Sequence, residues 1–382
     1  MTDALFYLAF ATLLFFAALA AQLVLGRRHR RSLREIPPPS DFPLVSIIIP
    51  ARNEERNLHE ALQSVLAQDY PNREIIVVDD RSTDGTGSIL EAMAAEHPDL
   101  KWIWVTQLPQ GWLGKNHALH LGVAQARGEY LLFTDADVVM APSALARAVG
   151  YMQRENIDHL AVGPVVTMRG LVLNCFAGAF MIFFTLYARP WKIRDPKSPS
   201  HIGIGAFNLV RSHAYRAAGG HKAIAMRPDD DMKLGKLIKK RGFRQDLLGG
   251  KGMLRVEWYA SVKELIGGLE KNTFAGLDYR LSLLIGGTVF CLLAFVWPFA
   301  GLFLTTGATR ILNAAAVGLL FLVYLDCALA YGVKARYGFG LAPATLLFIY
   351  ILWRAALMIF LHGGIDWRGT HYPLAELKRN KV

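Results

Sequence analysis

The chain has 382 residues, 53% of them hydrophobic, and 42 Lys and Arg against 31 Asp and Glu give a net charge of +11. That length allows one large or two modest domains, and the bunching of the apolar residues puts the chain toward the membrane end of the usual composition range. The positive charge gathers beside apolar segments and no nucleic-acid-binding motif accompanies it, which points to anionic lipid headgroups and away from nucleic acid. Three widely spaced cysteines, Cys175, Cys291 and Cys327, exclude a disulfide framework and read as small buried hydrophobes.

Residues 4–26 carry no charge and can span a bilayer as a helix. Asp3 stands where a signal peptide has a basic region and no small-residue cleavage site follows, so the segment is a retained anchor. The run Arg27-Arg28-His29-Arg30-Arg31 then places the following domain in the cytoplasm, in a multi-pass protein of the cell (inner) membrane. Pro37-Pro38-Pro39 makes a stiff exit from the membrane.

Strand and helix patterns then alternate. Residues 45–49 form an apolar run ended by Pro50, and residues 57–68 show Leu58, Ala61, Leu62, Val65 and Leu66 at helical spacing. A strand over 74–78 closes at Asp79-Asp80. A helix over 86–96, a strand over 102–105 and a helix over 116–126 follow. A strand over 130–133 then leads into Thr134-Asp135-Ala136-Asp137. This alternation predicts an α/β fold with a mainly parallel sheet. In such sheets ligands bind beyond the carboxyl ends of the strands.

Three acidic groups stand at such ends: Pro50-Ala51-Arg52-Asn53-Glu54, Asp79-Asp80 and Asp135-Ala136-Asp137. Strand-end carboxylates can accept hydrogen bonds from a base and from ribose hydroxyls. The Asp135/Asp137 pair suits an open site for a divalent cation, Mg²⁺ or Mn²⁺, completed by water and a diphosphate. Each group alone has a plainer reading, for instance Asp80 capping a turn with Ser82, Thr83, Asp84 and Gly85. Further on, the three adjacent carboxylates Asp229, Asp230 and Asp231 repel one another. At least one should therefore have a raised pKa, useful in a general base, although acidic residues also suit a helix N-terminus.

The segments VSIIIPARNEE, VVDDRSTDGT, GKNHAL and FTDAD resemble, in order, the nucleotide-binding half of family 2 glycosyltransferases, which have a GT-A fold. The resemblance implies a nucleotide-sugar donor of the uridine type. Pro50, Ala51, Arg52, Glu54, Asp79 and Asp80 would contact the nucleotide, Lys115 the base or diphosphate, Asp135 and Ala136 the ribose side, and Asp137 with Asp135 the metal. Alignment on Leu234-Gly235 puts Asp230 and Asp231 at the family's acidic pair, with Asp231 the base. The loop from His201 to Asn208, with Gly205 and Asn208, resembles the part of the family beside donor sugar and acceptor, and Gly220 closes the same pocket. His221 reads as a hydrogen-bonding loop histidine.

The Gln/Arg-x-x-Arg-Trp motif of processive members and of ceramide glucosyltransferases is absent. Trp258, Lys271 and residues 367–372 look more like membrane glycosyltransferases of hopanoid, carotenoid and other lipid pathways, with Lys271 standing in for the missing arginine. The expected activity is inverting transfer of a sugar to a lipid acceptor hydroxyl. The alternatives are a polyprenyl-phosphate sugar transferase, a processive polysaccharide synthase, and a non-catalytic membrane scaffold or sugar-nucleotide sensor.

The expected organisation is an anchor and basic flank (1–36), a GT-A domain (37–255; nucleotide half 44–140, acceptor half 160–250), an interfacial segment (256–280), C-terminal transmembrane helices (281–361) and a tail (362–382). Residues 170–188 are uncharged, but a crossing there would put Asp137 and Asp231 on opposite faces of the bilayer. They are expected as an interfacial helix roofing the acceptor side, or as a buried core helix. Residues 281–309, 311–333 and 337–361 read as three spans. Three crossings leave the tail outside, against the preference of Lys378, Arg379 and Lys381, unless one segment is re-entrant. Asp326 and Arg354 fall roughly 10 and 24 Å deep at 1.5 Å per residue, too far apart to pair.

Overall fold

The computed structural model describes residues 2–27 and 30–382, and the chain divides into two compact units. Arg28 and His29 of the basic run lie outside the described residues. In chain order the elements begin with α1 (Thr2–Gly26), β1 (Val45–Ala51), α2 (Leu58–Leu66), β2 (Arg73–Asp80), α3 (Thr86–Glu96), β3 (Leu100–Val105), α4 (Gly114–Gln125) and β4 (Tyr130–Phe133). They continue with β5 (Val138–Met140), α5 (Ala144–Arg154), β6 (His159–Gly163), β7 (Val165–Thr167), α6 (Leu171–Ala188), β8 (Asn208–Arg211), α7 (Ser212–Ala217), α8 (Asp230–Lys240), β9 (Gln245–Gly249) and β10 (Leu254–Glu257). The last are α9 (Val262–Gly276), α10 (Leu281–Cys291), α11 (Trp297–Leu304), α12 (Gly307–Tyr331), α13 (Leu341–His362), β11 (Gly364–Trp367), β12 (Thr370–Pro373) and α14 (Leu374–Arg379).

The α/β unit comprises residues 30–165, 188–257 and 375–382. Its seven-stranded sheet runs β3-β2-β1-β4-β8-β6-β9. The first four strands are parallel, and β8 lies antiparallel to both its neighbours. β1 and β2 are buried almost throughout, as expected of central strands covered on both faces. The helical stripe read from the sequence, Leu58, Ala61, Leu62 and Val65, is the buried face of α2. Build-out reverses between β1 and β4, which opens a crevice at the carboxyl ends of those two strands.

Two local features depart from the periodicity. α4 starts at Gly114 rather than 116, because Gly114 has no Cβ to collide with the Asp80 carboxylate at the end of β2. β5, directly after Asp137, pairs antiparallel with β10; three residues are too few to show a period. On the acceptor side α8 crosses residues 202–205 closely enough that a Cβ at Gly235 would collide with the Ile202 carbonyl oxygen. The glycine of the Leu234-Gly235 pair is therefore a contact point.

The helical unit comprises residues 1–29, 166–187 and 258–374. Among the described residues, five helices are long and apolar enough to cross a membrane: 3–26, 171–192, 281–304, 307–331 and 335–362. The second, α6, has 56% of its apolar window buried against 28% for α1, so it packs within the unit. Phe176 meets Phe348 of α13 and Gly178 lies on the Tyr324 ring of α12. Between α10 and α11 a π-helical turn at Leu292–Val296 precedes Pro298, which lacks the N–H a regular helix would use. Asp326 and Arg354, both in apolar helices, have separate partners. Arg27 Nε lies 2.9 Å from Asp326 Oδ1, and Arg354 pairs with Glu270 of α9.

The tail belongs to the α/β unit. Asn380 accepts from Met226 N and donates to Ala223 O, both at 2.9 Å, and Lys236 Nζ donates to Val382 O at 2.8 Å.

Gly235→Ala is expected to cost about 1–3 kcal/mol, the usual penalty of forcing an extra carbon into a packed contact. A lowered thermal midpoint in detergent checks this; an unchanged midpoint would show that the α8 crossing is slack.

Candidate active site

The crevice at the ends of β1 and β4 is built on short backbone anchors. Thr134 N donates to Ile48 O at 3.2 Å, Thr134 Oγ1 to Ala206 O at 2.8 Å, and Asp135 N to Gly205 O at 3.0 Å. The Asp135-Ala136-Asp137 turn is thus tied to β1 and to the loop preceding β8. Pro50, Lys115, Asp135, Gly205, Asn208, His221, Asp230 and Asp231 line one space of about 240 Å³. Residues from both expected halves of the domain meet there.

Lys115, in the first turn of α4, joins those halves. Its Nζ lies 2.8 Å from Asp135 Oδ1 and 3.5 Å from Asp230 Oδ2. Burial works to depress the ammonium, but Asp135, Asp230 and Asp231 together raise it above its ordinary value. Attraction outweighs desolvation, and the site holds a fixed positive charge. A Cβ at Gly205 would stand 2.5 Å from Asp135 Oδ2 and 3.4 Å from Lys115 Nζ, so glycine is required at that contact.

The three aspartates at 229–231 have unequal surroundings. Asp229 receives both Nε and Nη2 of Arg227, at 2.8 and 2.9 Å, and lies 3.5 Å from Lys233 Nζ; Arg227 is only 2% exposed. Asp230 has Lys115. Asp231 accepts two backbone N–H bonds, from Gly205 at 2.8 Å and Met232 at 2.7 Å, and among the described residues no lysine or arginine is in salt-bridge contact with it. Burial, then Asp230, pushes the Asp231 carboxyl up to about 7. Such a group is half ionised near neutral pH and suited to take a proton.

The strand-end carboxylates also separate. Asp137 is raised to about 7 by burial, then by Asp135 and Glu54. Mutual repulsion of this kind is what a bound cation relieves, so the donor set fits a divalent metal. Among the described residues no group of three or more His, Cys, Asp or Glu could hold a metal by itself. Glu54 is fixed by its backbone N–H to Thr86 Oγ1 at 2.8 Å. Asp80 is buried and receives Arg81 Nε and Nη2 at 2.8 and 3.1 Å and Arg52 Nη1 at 3.3 Å. It is Asp79 that holds the turn, accepting from Ser82 N at 3.0 Å. Glu54, Asp79, Asp80 and Asp137 stand outside the lining of the crevice, as do Ala51, Arg52 and Ala136.

Several supporting residues could not be picked out from the sequence. Arg81 sits at φ +59°, a region sparse for side chains other than glycine, and clasps Asp80. Asn116, 1% exposed, donates Nδ2 to the carbonyls of Ile224, Ala225 and Arg227 at 2.8, 3.1 and 2.9 Å. It fastens the helix of Lys115 to the loop that leads into Asp229–Asp231. Asn208 Oδ1 faces His159 Nε2, and burial lowers His159 to about 4. His221 is lowered to about 3, chiefly by burial, and its Nδ1 lies 2.9 Å from Tyr215 OH. Both rings are neutral at physiological pH. At Gly220, φ +54°, a Cβ would meet the Tyr215 ring at 2.6 Å.

Two expected acceptor-side residues fall in the helical unit. Trp258 packs edge-on to Phe180, ring centroids 4.8 Å apart. Lys271 Nζ lies 4.5 Å from the Trp367 ring centroid and donates to Asn272 Oδ1 at 2.9 Å.

Asn116→Ala removes three hydrogen bonds to the loop, although Ile224 O and Ala225 O keep backbone donors from Arg227 N and Leu113 N, and is expected to cost about 1–3 kcal/mol and to speed amide exchange at 224–228. Unchanged exchange there would show that the loop is held by other contacts.

Residues 46–216 match the family model "Glycosyl transferase family 2". A 4,4'-diaponeurosporenoate glycosyltransferase of Staphylococcus aureus (strain MRSA252) is 23% identical, over 93% of this chain and 94% of its own length. The protein of that name from Staphylococcus haemolyticus (strain JCSC1435) is 26% identical over 75% and 77%. Among solved structures, a mannosyltransferase from Pyrobaculum calidifontis in complex with GDP-Man and Mn²⁺ superposes with a TM-score of 0.52 at 21% identity, covering 94% of this chain and 99% of the other.

Proposed function

This chain is a family 2 glycosyltransferase with a GT-A domain, and from that premise we propose that it moves a sugar from a nucleoside diphosphate donor to a hydroxyl group of a membrane lipid. The observation that carries the reading is the unequal neutralisation of the three aspartates. Arg227 and Lys233 meet Asp229, Lys115 meets Asp230, and Asp231 faces the crevice with only backbone donors. One carboxyl is thereby left basic beside a fixed ammonium.

Asp231 takes the proton from the acceptor hydroxyl. The oxygen forms a bond to the anomeric carbon as the bond from that carbon to the diphosphate oxygen breaks, and the diphosphate leaves from the opposite face. A single displacement inverts the anomeric centre. Lys115 offers positive charge to the departing diphosphate. Asp135 and Asp137 would hold Mg²⁺ or Mn²⁺, which when bound neutralises diphosphate charge as a Lewis acid. Asp80, with Arg52 and Arg81 gathered on it, supplies acceptors and donors for the nucleotide, taken as uridine-type.

The staphylococcal relatives, named for an apolar carotenoid derivative, support a lipid acceptor, as do the five long apolar helices. The α/β domain faces the cytoplasm of a cell-membrane protein, because the basic run at 27–31 follows the first anchor directly.

Asp231→Asn is expected to lower turnover about 10²–10⁴-fold while donor affinity is kept. In the parent, the folded carboxyl lies above its ordinary range, so activity should rise with pH through about 7. Turnover of a panel of radiolabelled nucleotide sugars with total membrane lipid, with mass spectrometry of the product, checks both. Full turnover by Asp231→Asn would remove Asp231 as the base; radiolabel found only in free sugar would remove the lipid acceptor.

A further inference from the structure

α13 has the dimensions of a membrane crossing. Its 22 residues extend about 33 Å at 1.5 Å per residue, against a hydrocarbon core of about 30 Å. The chain nevertheless arrives at it from, and leaves it on, one side of the helical unit.

The reference is the hairpin made by α10–α11 and α12. Gly301 of α11 abuts Asn313 of α12, where a Cβ would stand 2.5 Å from Asn313 Nδ2, and only Thr305 and Thr306 separate the helices. A chain that goes out through α10–α11 and returns through α12 brings the N-terminal end of α10 and the C-terminal end of α12 to the same side. α1 agrees with this direction, since Arg27, just past its C-terminal end, bonds Asp326 in the last turns of α12.

The chain leaves α12 on that side and turns back before α13 starts. Tyr324 OH donates to Lys334 O at 2.8 Å, Gly338 lies on the Tyr324 ring, and Phe339 meets Phe321 with centroids 5.2 Å apart. The link after α12 thus folds back along that helix. α13 ends on the same side. Phe360 meets Phe274 at 5.6 Å, Arg354 pairs with Glu270, and Lys271 stands over Trp367 just beyond the helix. α9 carries all three partners and leads directly into the N-terminal end of α10. Trp353 Nε1 donates to Thr288 Oγ1 at 2.9 Å, in the last turn of α10, so α13 runs antiparallel to α10 and comes back toward its start.

We infer that residues 332–362 form a re-entrant segment: the link after α12 turns back into the membrane along that helix, and α13 returns to the side where α10 begins, without a crossing. Its outer stripe, Leu346, Tyr350, Trp353, Leu357 and Phe360, is exposed and spaced alternately four and three residues apart, so it lies against the acyl chains of that one leaflet. The opposite face, with Ile351, Ala355 and Ile359, is buried within the unit. Arg354, costly in the middle of a crossing helix, here bonds to α9, a helix too rich in charge to cross.

Single cysteines in the full-length protein test this in sealed membrane vesicles of known orientation, with an impermeant maleimide. The parent serves as the blank, since its three cysteines are buried. Lys334→Cys and Ala375→Cys, on either side of α13, should label from one face, and Thr306→Cys, in the α11–α12 turn, from the other. Labelling of Ala375→Cys from the face of Thr306→Cys would overturn the proposal. Should a variant fail to fold, a reporter enzyme joined at residue 382 reads the same side independently, with activity on the face of Thr306 as the contrary result.

Discussion

The site depends on one ammonium group. Lys115 reaches from the start of α4 to Asp135 at the end of β4 and to Asp230 at the start of α8, so a single charge couples the metal-side carboxylates to the base-side ones. Without it, Asp135, Asp230 and Asp231 would face one another unneutralised in a partly buried crevice, an arrangement proteins avoid. With it, Asp135 and Asp230 each have a cation within 3.5 Å, and the unrelieved repulsion falls on Asp137 and Asp231. One of those two fits a cation and the other fits a proton.

Rigid backbone contacts make that division of labour possible. Gly114, Gly205 and Gly235 each stand where a Cβ would strike Asp80, Asp135 or the Ile202 carbonyl. Close approach of backbone to a carboxylate is therefore built in at two points, and to a main-chain carbonyl at a third. Asn116 and Asn380 clamp the loop at 221–227 from two directions, using the carbonyls of Ala223, Ile224, Ala225 and Arg227 and the N–H of Met226. Asp229–Asp231 follow directly, so the base is positioned by the same contacts that fix Lys115.

Much of this was legible in the sequence, and what was not has a physical cause. The apolar run ended by Pro50, the Asp79-Asp80 pair and the Asp135/Asp137 pair were readable as strand ends, because buried parallel strands carry little but apolar residues until they emerge. That three adjacent aspartates must include a raised carboxyl was readable too. Which one it is depends on Arg227, Lys233 and Lys115, whose approach no spacing rule reveals. The likeness to a family supplied Asp231, and the pattern of ion pairs supplies a reason. Asp80 was expected as a nucleotide contact, and its clasp by Arg81 and Arg52 was invisible because it needs a left-handed residue at 81. Hydropathy marked 337–361 as a span, but composition is the same for a helix that crosses and one that turns back. Only the contacts of Phe360, Arg354 and Lys334 distinguish them.

The account rests on Lys115 setting the ionisation of Asp231 across the crevice, and the acid limb of the pH dependence of kcat/KM for sugar transfer tests it most directly when the parent is compared with Lys115→Met. Lys115 favours the ionised form of Asp231, so its removal should move the limb to higher pH, whatever it does to donor affinity. A limb at the same pH in both proteins would contradict the claim that this ammonium tunes the base.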